Sequence, residues 1–372
     1  MDPFKFGQVV SGSDFCPRPE LTQTVMGYIN QGQNMYVQGE RRIGKTSLIF
    51  EACRRLKKYR IVYVDLFGVK SSDILAKRIV KAIISMEQKE NGVFTKMFKT
   101  FSYLRPSFSI DPITGLPSVS LDASVRMTPD DIETVLDLIA AIKTAKKPVI
   151  VIFDEFQDVL SIKDSDETLA MMRSKIQFQS DIAYIFAGSL RNKMDEIFID
   201  PDSPFFKSAV LVAVGPLAET EFKGYIIKRF RNGGRRIKDD ILDRIFEIAG
   251  NIAGDIQQFC SALWTISNTG DSIGQDYIPK ALELIFARES KVYEADIDTI
   301  SEQQFICLNG IAGYGGKELT SSRFLMNIGI PSSASVLKAL ERLIKLRIIF
   351  KSGNEYKFTN PFFRAWLLYK NF

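Results

Sequence analysis

The chain has 372 residues, enough for two or three domains and a sizeable core. Apolar content of 45%, charged content of 25% and a net charge of +5 are ordinary for a soluble globular protein, and so small a basic excess permits contact with nucleic acid without arguing for it. Histidine is absent, which excludes Ser-His and Cys-His nucleophile pairs, histidine zinc sites and histidine proton shuttles, and leaves a carboxylate, lysine or tyrosine as any general base.

A polar, proline-bearing lead-in from Ser11 to Arg18 precedes a helix over 20–30, where Leu21, Val25, Tyr28 and Ile29 recur at helical spacing. Met35-Tyr36-Val37-Gln38 reads as a short buried strand, and Ser47 to Leu56 as a helix. Between them Gly39-Glu40-Arg41-Arg42-Ile43-Gly44-Lys45-Thr46 matches G-x-x-x-x-G-K-[ST], the phosphate-binding P-loop. Its glycines allow the tight turn that brings backbone N–H groups onto phosphate oxygens, and the helix N-terminus adds partial positive charge there. Lys45 supplies charge for the β- and γ-phosphates, and the Thr46 hydroxyl is a ligand for Mg²⁺.

A strand over 60–65 and a helix over 72–85 follow. The stretch 91–126 breaks the alternation. Its two polar/apolar alternating runs, 107–111 and 118–122, flank Pro112-Ile113-Thr114-Gly115-Leu116-Pro117 and predict a hairpin inserted at about 105–125. Lys96, Lys99 and Arg105 mixed with Phe94, Phe98, Phe101 and Tyr103 precede it; the insertion is either packed on its own domain or a contact arm for a partner or DNA.

Thr128-Pro129-Asp130-Asp131 starts a helix, and 148–154 is an apolar run without alternation, as a parallel strand covered on both faces requires. It ends in Asp154, placed to hold Mg²⁺, and Glu155, placed to polarise a water. A helix over 169–178, a strand over 182–187 ending at Gly188-Ser189, and a strand over 209–214 ending at Gly215-Pro216 complete an α/β pattern with a parallel sheet. After Pro216 the strands stop. Helices over 219–232, 239–249, 255–267 and 276–288 predict an all-helical lid. Helices over 303–311, 321–327 and 332–346, then a hairpin of 348–351 and 355–358 and an apolar closing helix from Pro361, predict a winged helix. The expected domains are 1–215, 216–295 and 296–372.

Cys16, Cys53, Cys260 and Cys307 are far apart and form no C-x-x-C, so they read as buried thiols in a reducing compartment. No signal peptide is apparent after Met1 and no apolar run is long enough to span a bilayer, so a cytoplasmic protein without a membrane partner is expected.

The ordered set of motifs resembles the AAA+ superfamily of P-loop NTPases and, more narrowly, the archaeal-type ATPases of the STAND class. The resemblance rests on Arg18 in the lead-in, the P-loop, Asp154-Glu155, Ala187-Gly188-Ser189, Gly215-Pro216-Leu217 and the closing Asn360-Pro361-Phe362-Phe363-Arg364-Ala365-Trp366. It implies an ASCE-type core with lid and winged helix, binding ATP or ADP with Mg²⁺ between core and lid. It places Glu40, Arg41, Arg42, Ile43 and Ser47 in the nucleotide cradle, Ser189 at the γ-phosphate as sensor 1, Arg18 and Pro216 beside the adenine, and 254–257 at sensor 2. ATP is expected over GTP by resemblance, without a guanine-reading N-K-x-D segment. The chain departs from its relatives in having Lys207 where they often carry an arginine, no arginine at sensor 2 and no winged-helix histidine. Arg191 is then the nearest in-chain candidate, and hydrolysis is expected to be slow or to need an arginine from a neighbour or partner.

The expected function is a nucleotide-controlled switch that moves lid and winged helix, with a protein partner or self-association. Two alternatives stand beside it: a DNA-associated ATPase resembling origin-recognition or transposition-regulator proteins, and a nucleotide-binding scaffold with little turnover. Lys338, Arg342, Lys345, Arg347, Lys351 and Lys357 give the winged helix a basic bias that suits duplex phosphates, internal docking or protein contact.

Overall fold

The computed structural model describes residues 2–88, 107–110, 117–120, 126–143, 147–189 and 191–370. These fall into two compact units, one of residues 9–215 and one of residues 1–8 with 216–372.

In the first unit, α1 (Pro19–Asn30) precedes β1 (Met35–Gln38), α2 (Lys45–Leu56), β2 (Arg60–Asp65) and α3 (Ser72–Gln88). An antiparallel hairpin follows, β3 (Ser107–Ile110) with β4 (Pro117–Ser120), in which Ser107 pairs with Ser120. The predicted hairpin is therefore present, whereas the basic-aromatic residues Lys96, Lys99 and Arg105 lie outside the described residues. Next come α4 (Asp130–Ile142), β5 (Val149–Asp154), α5 (Ser165–Ile176), β6 (Ala183–Gly188), α6 (Arg191–Phe198) and β7 (Val210–Ala213).

The sheet is five-stranded and parallel in the order β2-β5-β6-β1-β7. Strands β1, β5 and β6 are buried along their whole length, which is why their sequences run apolar without alternation. The order inserts β6 between the P-loop strand and the strand ending in Asp154. Register then levels the carboxyl ends: Gln38 pairs with Gly188, and Asp65 with Asp154. Open parallel sheets bind ligands at this edge.

Two elements at the carboxyl edge of the sheet escaped sequence reading. A 3-10 turn, Phe156–Ser161, leaves β5 directly, and α6 leaves β6. Both are short, and their apolar residues serve one aromatic cluster instead of a helical stripe. Phe156 lies 4.6 Å from Phe186, 5.9 Å from Phe198 and 5.7 Å from Phe205, centroid to centroid. This cluster anchors the backbone immediately beyond Asp154 and Glu155.

The second unit contains α7 (Glu219–Asn232), β8 (Arg236–Ile237), α8 (Asp239–Ala249), α9 (Ala253–Ile266), β9 (Ser272–Ile273) and α10 (Tyr277–Asp298). The expectation that strands stop after Pro216 is corrected, because β8 and β9 pair in parallel. Two-residue strands leave no periodicity to read. Phe4 belongs here, its ring 4.7 Å from Phe230 and 6.1 Å from Trp264, so the first residues of the chain complete the lid core.

Three helices, α11 (Glu302–Tyr314), α12 (Ser322–Ile328) and α13 (Ser333–Lys345), precede the hairpin β10 (Ile349–Ser352) and β11 (Glu355–Phe358) and the last helix, α14 (Pro361–Lys370). Ser301, Ser321 and Ser332 cap the three helices, each hydroxyl accepting a backbone N–H. Helix α10 runs ten residues past its predicted end because Tyr293 is buried under α14, stacked at 4.9 Å on Phe363. No helix among the described residues is long and apolar enough to cross a membrane.

Candidate nucleotide-binding site

The P-loop leaves β1 and ends where α2 begins. Gly44 caps α2 with φ 100°, and a Cβ on Gly39 would collide with the Val214 carbonyl, so both glycines are required by geometry. At the start of α2 the Leu48 N–H donates to the Gly44 carbonyl at 2.9 Å. The N–H groups before it, in the first turn, have no carbonyl within the helix and are oriented for an anion.

Lys45 is buried, and its Nζ donates to the carbonyls of Gly39 and Glu40, each 3.0 Å away. Burial lowers its pKa, opposed by the charges of Glu155 and Asp154. An ammonium held on its own loop by two carbonyls is a donor set that a polyphosphate would improve. Arg41 and Arg42 are exposed, Arg42 in the left-handed region at φ 61°, while Ile43 is buried. The Ser47 hydroxyl accepts from the Val10 N–H at 3.1 Å, so its side chain ties down the lead-in and only its N–H belongs to the cradle.

Asp154 faces this loop. Its Oδ2 accepts from the Thr46 hydroxyl at 2.8 Å and from the Tyr63 hydroxyl at 2.9 Å, and its Oδ1 from the Glu155 N–H at 3.0 Å. Burial raises the Asp154 pKa, and the Thr46 and Tyr63 hydrogen bonds oppose the rise. The donor chemistry here fits magnesium. Thr46 and Asp154 present a hydroxyl and a carboxylate in mutual contact, which suits a hard cation that keeps most of its waters. Among the described residues no cluster of three or more acidic, cysteine or histidine side chains offers an alternative metal cage.

Glu155 takes the left-handed conformation, φ 52°, at the start of the 3-10 turn. This swings its carboxylate away from the strand direction toward β6. Its Oε2 accepts from the Ser189 hydroxyl at 3.0 Å and from the Gln157 carboxamide. The structure thus brings Lys45, Thr46, Asp154, Glu155 and Ser189 together, from three separate stretches of chain.

Arg18 donates from Nη1 to the Gly215 carbonyl, 2.6 Å, and from Nη2 to the Ile43 carbonyl, 3.0 Å. It holds the P-loop to the end of the unit, a positioning role that the lead-in's sequence did not reveal. Pro216 is exposed and opens the second unit. Arg191 is the first residue of α6, and its side chain lies outside the described residues.

Tyr63, Gln157 and Gln38 were missed by sequence reading. Tyr63 is the fourth residue of a strand whose alternation marks it only as half-buried; its contact with Asp154 comes from strand pairing. The segment Asn192-Lys193-Met194-Asp195 does fit N-K-x-D, correcting the expectation that none is present. It lies within α6, with Met194 fully buried and the Asp195 carboxylate accepting from Gln38 Nε2 at 3.0 Å. That aspartate braces the strand that feeds the P-loop.

A five-stranded parallel sheet with the strand after Glu155 inserted beside the P-loop strand is a P-loop NTPase fold, and a winged helix lies at the C-terminal end of the second unit. The family model described as "Probable winged helix domain" matches residues 291–369. Among solved structures the chain is similar to a Walker-type ATPase of Pyrococcus abyssi, with 18% identity, TM-score 0.65, and 98% of this chain and 99% of that one covered. It is similar to the Aeropyrum pernix ORC1 protein in complex with DNA, at 12% identity and TM-score 0.54 over 96% and 93% of the two chains. The Aeropyrum pernix ORC2 protein, in ADPNP–ADP complexes, matches at 13% identity and TM-score 0.50 over 99% and 98%. No curated protein matches the sequence.

Proposed function

We propose that this chain binds and hydrolyses ATP and works as a nucleotide-controlled switch of the STAND kind. The observation that supports this best is the convergence of Thr46, Tyr63 and Ser189 on the paired acids Asp154 and Glu155, opposite a P-loop lysine. In this reading the N–H groups from Arg42 to Ser47 hold the β- and γ-phosphates and Lys45 moves from the Gly39 and Glu40 carbonyls onto them. Mg²⁺, held by Thr46 and the Asp154 carboxylate, would neutralise charge on the phosphate oxygens. Glu155 accepts a proton from the attacking water through the carboxylate oxygen that Ser189 leaves free. Ser189 touches Glu155, so it can report the state of the γ-phosphate to α6. The output is movement of the lid and winged helix, which share one core through Tyr293 and Phe363 and therefore travel together. Turnover is slow, or completed by an arginine from a partner or a second copy. Buried free thiols at all four cysteines suit the cytoplasm.

DNA association is the second reading. Lys338, Arg342 and Lys345 on α13 and Lys351 and Lys357 on the hairpin are all exposed. The Aeropyrum pernix ORC1 protein, solved in complex with DNA, has a similar fold, so duplex contact through the winged helix stands to be tested beside protein contact.

The deciding experiment is phosphate release by pure protein with and without duplex DNA, with particle mass measured in each nucleotide state. Release that DNA stimulates, with salt-sensitive binding, favours the second reading. Retained ADP without release under any condition leaves a scaffold. GTP competing as well as ATP would give Asn192 to Asp195 a role in base recognition.

A further inference from the structure

Gln157 is almost fully buried, at 2% exposure, in the 3-10 turn beyond Glu155. A buried carboxamide has to find partners on both edges. Its nitrogen edge faces two carboxylates, Glu155 Oε2 and, at 3.4 Å, Asp158 Oδ1. Carboxylates only accept, so this edge carries the NH₂ group and the amide orientation is determined. Asp158 is itself held, its Oδ2 accepting from the Gly68 N–H at 2.8 Å in the loop after β2. The oxygen edge of Gln157 lies over Gly188, where a Cβ would come within 2.7 Å of Oε1 and would also strike Met194. The last residue of β6 is therefore glycine because Met194 and Gln157 occupy the space. Gln157 Oε1 has no partner among the described residues. A buried unsatisfied oxygen is costly, so the side chain is kept in place by what its nitrogen does.

We propose that Gln157 is a positioning residue for hydrolysis. Together with Ser189 it donates to a single oxygen of Glu155, which sets the plane of that carboxylate and leaves Oε1 as the atom that takes the proton from water. This rests on the reading of Glu155 as the base. The two donors come from different elements: Gln157 is fixed by the turn, whereas Ser189 follows β6. Losing Gln157 leaves the carboxylate tethered from one side only, free to rotate off the line of attack. Misplacement on this scale costs on the order of 10–100-fold in rate while leaving the phosphate cradle intact.

The test uses the full chain in single turnover, enzyme in excess over ATP, with ATP binding measured separately. Gln157→Leu should lower the hydrolytic rate constant about 10–100-fold and leave the ATP dissociation constant within about twofold. In a Glu155→Gln background the same change should have no further effect, because it acts only through that carboxylate. Gln157→Met, an unbranched chain of similar length without a donor, serves if the leucine variant does not fold, and should likewise lose turnover but keep binding. An unchanged rate constant in a folded variant, or an equal loss of ATP affinity, overturns the proposal while Glu155→Gln is inactive. Full turnover by Glu155→Gln removes the base assignment instead, a separate failure.

Discussion

The carboxyl edge of the parallel sheet and the outward face of the winged helix both gather charge, under opposite constraints. At the sheet edge Lys45 and Asp154 are buried, and each charge is answered within 3 Å by named atoms: carbonyls on Lys45, hydroxyls of Thr46 and Tyr63 on Asp154. On the winged helix Lys338, Arg342, Lys345, Arg347, Lys351 and Lys357 are exposed, and α13 interleaves them with exposed Leu337 and Ile344. Burying a charge costs several kcal/mol unless partners are arranged, so a buried set specifies its ligand through geometry. Exposed charge costs little, so it specifies only the sign of what approaches.

Breaking the buried set should have the largest consequence. Glu155→Gln removes the proton acceptor and keeps the shape, and is expected to lower phosphate release by about 10²–10⁴-fold with ATP affinity nearly unchanged. Full release by that variant, measured with a phosphate sensor, would end the assignment. Lys45→Ala comes next. Loss of a charge-assisted contact worth about 2–3 kcal/mol should weaken ATP binding about 30–160-fold, as calorimetry would show. Unaltered affinity would refute the cradle.

The exposed set should respond differently. Replacing Lys338, Arg342 and Lys345 by alanine should leave ATP affinity untouched. If the winged helix binds duplex, the dependence of log affinity on log salt should become shallower by about 2–3, near one unit per lost phosphate contact. An identical slope would assign this face to protein contact.

The smallest effect concerns pH. Burial holds the Asp154 carboxyl above the usual range, so a proton competes with Mg²⁺ where an ordinary aspartate would be ionised. Mg²⁺-dependent ATP affinity should therefore fall as pH is lowered and level off once the carboxyl is ionised. Tyr63 donates to the charged form, so Tyr63→Phe should move that fall to higher pH, with a loss of about threefold on the slope. Titrations with and without Mg²⁺ separate this from other groups, and a curve that Tyr63→Phe does not move would place the metal ligand elsewhere.

Much of this was legible in the chain. Strands β1, β5 and β6 announced themselves as apolar runs because burial on both faces demands it, and the P-loop is a local string whose chemistry depends on its own backbone. The pair Asp154-Glu155 was visible because it interrupts such a run. Short elements were not visible: α6 and the 3-10 turn have too few residues for a period, and β8 with β9 too few for alternation. Tyr63 and Gln157 looked like ordinary half-buried and polar positions. Their partners lie 91 residues away for Tyr63 and, for Gln157, in a fold-back that only a left-handed Glu155 allows.

By itself, then, the order of residues determined which segments form the sheet, where a phosphate loop bends, and that no histidine chemistry exists here, because these depend on local propensity and composition. Only the tertiary structure decided that β6 lies beside β1. That placement sets Ser189 against Glu155, Gln157 over Gly188 and Asp195 against Gln38. Strand order and register are long-range choices made by packing, and contacts between residues far apart in the chain follow from them, not from any spacing that can be read in advance.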